Sequence, residues 1–216
     1  MFDITVVFDN TGPLMDGLWM TTWISLLSIG IGFVAGIILC LGRMSKNKFL
    51  STVTRVYISA FRGTPLLIQL SFVFYLLPAI GITLSSIPAA ILALSMNTAA
   101  FQAEILRGGF RIHPKGQKEA SWCFGLSAWQ NLYHIELPQV VRRTIPSLIN
   151  ETIDIIKNSS LISTIAVTDL MRIAQTYSST TYRPLEFFIA AGALYLLLTF
   201  SVSVIGKRVE ARFSAY

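Results

Sequence analysis

From Leu18 to Leu41 the chain carries no charged residue, and a helix of that length reaches across the roughly 30 Å of hydrocarbon in a bilayer. In water such a run would have to be wrapped by other protein. A chain of 216 residues, 53% hydrophobic and 13% charged, has too little polar material to do the wrapping. The membrane is therefore its solvent, and there only helices and closed barrels satisfy their own backbone groups. Four further runs have helical length: Val56–Leu77, Ile87–Leu106, Val140–Ile165 and Leu185–Ile205. The expectation is an all-α membrane protein of five transmembrane helices in one domain over residues 1–216. The loop at 107–139 joins the third helix to the fourth.

Charge placement orients it. Seventeen Lys and Arg against eleven Asp and Glu give a net charge of +6. A nucleic-acid binder could have that balance, but these cations sit at the ends of apolar runs. Arg43, Lys46 and Lys48 follow the first run, Arg107 and Arg111 the third, and Lys207, Arg208 and Arg212 the fifth. Only Lys157, Arg172 and Arg183 fall elsewhere. By the positive-inside rule these ends are cytoplasmic, the N-terminus is external and the C-terminus internal. Asp3, Asp9 and Asp16 then lie outside. MFDITVVFDNTGPLMDG has no basic region before the first run and does not read as a signal peptide. Cys40 and Cys123 imply neither a disulfide framework nor a metal site. Gly32 and Gly36 form a small-xxx-small pair suited to close helix packing. Trp19 and Trp23 sit where interface anchors belong.

The loop contains a segment of a different kind, EASWCFGLSAWQNLYHIELP, from Glu119 to Pro138. Gly125 supplies a permissive backbone that ends a first short helix. Ser127 with Gln130 three residues on forms a capping box for a second, and Pro138 is expected to stop it. Such a unit cannot span a bilayer, yet it offers Trp122, Phe124 and Trp129 to its surroundings. It needs a protein surface to dock on. His113 and His134, at either end, have no ligand constellation and read as interfacial polar residues.

The spacing of Glu119-Ala120-Ser121, Gly125 and Ile135-Glu136-Leu137-Pro138 resembles the EAA loop of ABC importer permeases, with Ser121 where a second alanine is usual. Arg62-Gly63-Thr64-Pro65, Asn97-Thr98-Ala99-Ala100, Glu104 to Gly109, His113-Pro114-Lys115-Gly116-Gln117 and Lys157-Asn158-Ser159-Ser160-Leu161 extend the likeness. They point to the polar amino acid branch, the histidine, glutamine and arginine permeases. That resemblance implies the type I importer permease fold and a position in a bacterial cytoplasmic membrane. It also implies a second permease subunit, identical or sister, two ATP-binding subunits docked on Glu119–Pro138, and an external or periplasmic amino acid binding protein. ATP and Mg would be bound by the partner ATPase and no cofactor by this chain, which has no GxxxxGK[ST] loop.

The fourth run is unusual because it contains Glu151, Asp154 and Lys157, charges that a lipid-facing helix does not tolerate cheaply. Glu151, Asp154 and Asn158 are spaced to share one helix face. In related permeases that bind amino acid in the membrane, this helix contacts the ligand. The resemblance thus assigns Glu151, Asp154 and Asn158 to substrate, with Asn97 and Gln69 added from neighbouring spans. Asn158 stands where the family often has aspartate, which weakens the lean towards a basic substrate. Two other readings remain open. Asp154 and Lys157 could form a structural ion pair, and Glu151 with Asp154 could carry protons in a secondary transporter.

Overall fold

The computed structural model describes residues 5–112 and 115–214. Asp3, His113 and Pro114 lie outside the described residues. Among those described, every regular element is helical. A short α1 (Thr5–Asp9) leads into α2 (Thr11–Met44), whose 34 residues extend well beyond the apolar run at both ends. α3 (Lys48–Gly63) and α4 (Leu66–Ser71) follow. α4 continues through a π-helical turn, Phe72–Leu76, and a 3-10 turn to Ile80. Next come α5 (Ser86–Arg111), the loop helices α6 (Lys115–Cys123) and α7 (Ala128–Asn131), and α8 (Leu137–Asn158). α9 (Leu170–Thr181) and α10 (Pro184–Ser214) complete the chain.

The spine is α2 laid against α5. Their backbones approach closely because the facing residues are small. Ala89, Ala90, Ala93, Ala99, Ala100 and Ala103 of α5 are fully buried. On α2, a Cβ at Gly32 would overlap the Thr98 methyl, and one at Gly36 would stand 3.1 Å from Gln102 Cβ. The Gly32–Gly36 pair is thus a contact surface, with dispersion between tightly packed atoms supplying what hydrophobicity cannot supply in lipid.

Three helices among the described residues are long and apolar enough to cross a membrane: α2, α5 and α10. They correspond to the first, third and fifth expected spans. On α2, Leu26, Val34, Ile38 and Leu41 are exposed, as are Leu196, Leu197 and Phe200 on α10. That much uncovered apolar surface suits lipid and not water.

The second expected span, 56–77, is not one helix. The axis turns by 109° between α3 and the helical stretch after it, so the span is a bent pair, broken where Gly63 and Pro65 supply helix-breaking geometry. Pro65 lacks an N–H and forces Thr64 out of the α region, to φ −119° and ψ 144°. The fourth expected span, 140–165, also changes. α8 stops at Asn158 and a 3-10 segment carries on to Ile165. Its charges keep it outside the apolar class, and it packs on α5 and α10. The segment after it forms α9, which buries Leu170 and Ala174 against Leu14 of α2 and Phe187 of α10. Asp169 caps α9 by accepting from the Met171 and Arg172 N–H groups. Burial pushes the Asp169 carboxyl up to about 6.

Candidate functional site

Two regions contain the residues singled out from the sequence. The first lies inside, between α4, α5 and α8. Here the break at Thr64–Pro65 frees backbone carbonyls, and Gln69 answers them. Its Nε2 donates to Phe61 O at 2.8 Å, to Thr64 O at 3.0 Å and to Thr64 Oγ1 at 2.9 Å. Its Oε1 accepts from Asn97 Nδ2 at 2.9 Å. Gln69 and Asn97, assigned to substrate from the sequence, bond to each other here, and each helps hold the broken helix against α5.

Glu151, Asp154 and Asn158 do share one continuous helix, α8, but their surroundings differ. Glu151 is 8% exposed and faces Thr98 of α5, itself fully buried. Asp154 and Asn158 are exposed. Asp154 Oδ1 lies 2.7 Å from Lys157 Nζ, so the ion pair left open by the sequence forms, with both side chains more than half exposed. α8 thus carries one carboxylate held inside the bundle and, one to two turns on, a polar edge open to its surroundings. That arrangement can offer carboxylate oxygens to a charged or polar solute approaching the open edge. Thr98 was not foreseen as a partner, because nothing local to Glu151 points to a residue on another helix.

The second region is the loop. α6 ends in a Schellman arrangement: Leu126 N donates to Ser121 O and Gly125 N to Trp122 O, each at 3.0 Å. Gly125 has φ +76°, a conformation glycine adopts without a Cβ clash. The Ser127–Gln130 capping box is present in both directions, at 3.2 and 2.9 Å. Ser121 is buried, so the position where alanine is usual requires a small side chain. Glu119 and Ala120 are exposed, as are Trp122, Phe124, Trp129 and Tyr133. Ile135 is half-buried, while Leu137 and Pro138 face outward. Gln139 ties α8 to α6 through Gln117 at 2.8 Å.

One expectation fails here. Pro138 does not stop the second loop helix. It lies in the first turn of α8, and the chain stays helical from Ala128 to Asn158. Residues Leu132–Glu136 widen into a π turn, where Leu137 N reaches back to Leu132 O. The wider turn accommodates a residue that has no N–H to give.

With this geometry in view, comparison with known proteins becomes informative. Residues 28–215 match the family described as binding-protein-dependent transport system inner membrane component. The chain is 39% identical to the L-cystine transport system permease protein TcyB of Bacillus subtilis, over 94% of this chain and 87% of that one. It is 36% identical to the arginine transport system permease protein ArtQ of the same organism, over 97% and 96% of the two chains. A solved structure described as an amino acid ABC transporter with histidines superposes with a TM-score of 0.94 at 32% identity. That superposition covers 98% of this chain and 99% of the other.

Proposed function

The chain belongs to the family of binding-protein-dependent transport system inner membrane components, and from that premise we propose that it passes a polar amino acid along α8, driven by a partner pressing on Glu119–Pro138. It is a multi-pass permease subunit of an amino acid ABC importer with the type I permease fold. It is a translocation subunit and not an enzyme; ATP hydrolysis belongs to a separate ATPase, and importers of this family work with a binding protein. The finer reading has the positive ends of α2, α5 and α10 on the cytoplasmic side of a bacterial inner membrane and the N-terminus outside. Two ATPase subunits dock on the loop, a second permease subunit completes the path, and the binding protein delivers the amino acid from outside. ATP and Mg remain with the ATPase.

The observation that supports this reading best is the unbroken helical path from Ala128 to Asn158. A load on the exposed aromatic side chains of the loop moves α8 as a lever, and α8 carries Glu151, Asp154 and Asn158. Glu151 would meet the substrate ammonium, with Asp154 and Asn158 at the open edge and Asn97 and Gln69 keeping α5 in register. Ala120, Ser121, Ile135, Leu137 and Pro138 would shape the docking element around Glu119 and Gly125.

The test is uptake by the reconstituted complex. Glu151→Gln should lower uptake while the ATPase still co-purifies; Glu119→Lys and Gly125→Pro should lose ATP-driven uptake through weakened ATPase contact. Uptake driven by a proton gradient without the ATPase would instead establish the secondary-transporter alternative.

A further inference from the structure

One cavity is rich in cations. It lies where α2, α3 and α5 meet, has a volume of about 410 Å³, and is lined by Arg43, Arg55, Ile58, Ser59, Arg62, Glu104 and Arg107. Glu104 is the single carboxylate among the lining residues, and Arg107 holds it through both carboxylate oxygens. Arg62 reaches the same carboxylate at 3.7 Å. Arg43 turns to Ser51 Oγ at 3.2 Å, which carries no charge. Arg55 has no hydrogen bond or ion pair among the described residues. Four guanidinium groups against one lining carboxylate leave an excess of positive charge in the cavity, which Glu151 of α8, within electrostatic reach of Arg62, offsets only in part.

The wall also carries a second signature. On α3, Arg55, Ser59 and Arg62 follow one another at i, i+4 and i+7, and so do the exposed Phe49, Val53 and Val56 on another face. One helix therefore sets a cationic side beside an apolar one. That suits an amphiphile whose head is anionic and whose tail is hydrocarbon. Guanidinium forks pair with phosphate oxygens in two parallel hydrogen bonds.

We propose that this cavity binds a phosphate-bearing anion, the headgroup of an anionic phospholipid whose chains lie along Phe49, Val53 and Val56 of α3. The proposal rests on the chain being a membrane protein and not on the substrate path or the ATPase docking.

The test uses the purified full-length chain, with lipid binding read by native mass spectrometry and by thermal shift. Phosphatidylglycerol, phosphatidylcholine and inorganic phosphate are the probes. Phosphatidylglycerol should bind more tightly than phosphatidylcholine, and Arg43→Gln with Arg55→Gln should lose roughly 30-fold of that affinity. The Glu104 contacts with Arg107 and Arg62 stay in place in this variant, and its thermal unfolding without lipid, compared with wild type, checks that it folds. Lys207→Gln with Arg208→Gln removes equal charge outside the cavity and should keep the preference. A shift from inorganic phosphate equal to that from phosphatidylglycerol, and lost in the same Arg43/Arg55 variant, would support the site with a soluble anion as occupant. Equal phosphatidylglycerol binding by wild type and the Arg43/Arg55 variant would overturn the site, as would equal losses in both double variants. None of these readouts involves transport, so failure here and failure of the importer reading are separately visible.

Discussion

The interior around Gln69 and the loop around Trp129 treat their polar and apolar groups in opposite ways. Inside, the buried polar groups are turned to other parts of the same chain, Gln69 to the broken backbone and Asn97, and Glu151 towards Thr98. In the loop the end of α6 and the start of α7 are capped, while the large apolar side chains are left uncovered, Phe124 at 86% and Trp129 at 71% exposed. The difference separates two kinds of cost. Changes inside should be felt in the fold of the isolated chain, and changes in the loop only when a partner is present.

The largest effect should come from Gln69→Leu. It leaves the buried Asn97 amide without its partner, at about 1–3 kcal/mol, and the part-buried Phe61 and Thr64 carbonyls at less. A loss of about 3 kcal/mol is expected, read as denaturant unfolding of the purified chain in detergent. Full stability with impaired uptake would break the contrast, since Gln69 would then act on substrate and not on the fold.

Next comes a pH effect at Asp169. The folded carboxyl titrates at about 6 because burial disfavours its charged form, while an unfolded Asp titrates near 3.9. The folded state therefore takes up a proton first on acidification. The cost of burying the charge is fully present above about pH 6 and vanishes below about pH 4. Stability should rise by roughly 2 kcal/mol as pH falls through that window. Asp169→Asn, which keeps the cap, should flatten the profile; an unchanged profile would show that Asp169 is not the group responsible.

In the loop, Trp129→Ala should leave unfolding of the isolated chain within about 0.5 kcal/mol of wild type. Affinity for the ATPase should fall by roughly 30-fold, about 2 kcal/mol. Titration of the ATPase against both chains measures it. Reduced stability of the isolated chain would show that Trp129 already has a place in the fold.

How far these regions could be foreseen follows from where the determining contacts lie. The capping box at Ser127 and Gln130 and the left-handed turn at Gly125 are local, so adjacent residues announce them. The Gly32–Gly36 surface is announced by spacing alone. Gly63 and Pro65 announce a break, but neither its size nor what Pro138 does to the chain is announced. Both remove a hydrogen-bond donor, yet Pro65 ends with the axis turned by 109°, whereas Pro138 is absorbed by a π turn. Gln69 and Asn97 secure the first break from elsewhere in the chain, while the second is resolved within its own helix. The same holds for Glu151 and Asp154, which look alike on α8 until Thr98 of α5 covers one of them. Sequence spacing gives a face but not its depth.

That difference in depth sets the smallest expected effect. Asp154 and Lys157 form a pair 2.7 Å apart, with side chains 57% and 56% exposed, and pairs so open contribute well under about 1 kcal/mol. Asp154→Asn should therefore leave unfolding almost unchanged. Its carboxylate is free to exchange Lys157 for a passing ammonium at little cost, so its effect should appear in uptake. The loss should be smaller than for Glu151→Gln, whose carboxylate has no lysine neutralising it within its own helix turn. Measured side by side, a stability loss for Asp154→Asn exceeding its uptake loss would make the pair a strut of α8. An uptake loss equal to that of Glu151→Gln would mean that the buried and the open carboxylate act on the substrate together.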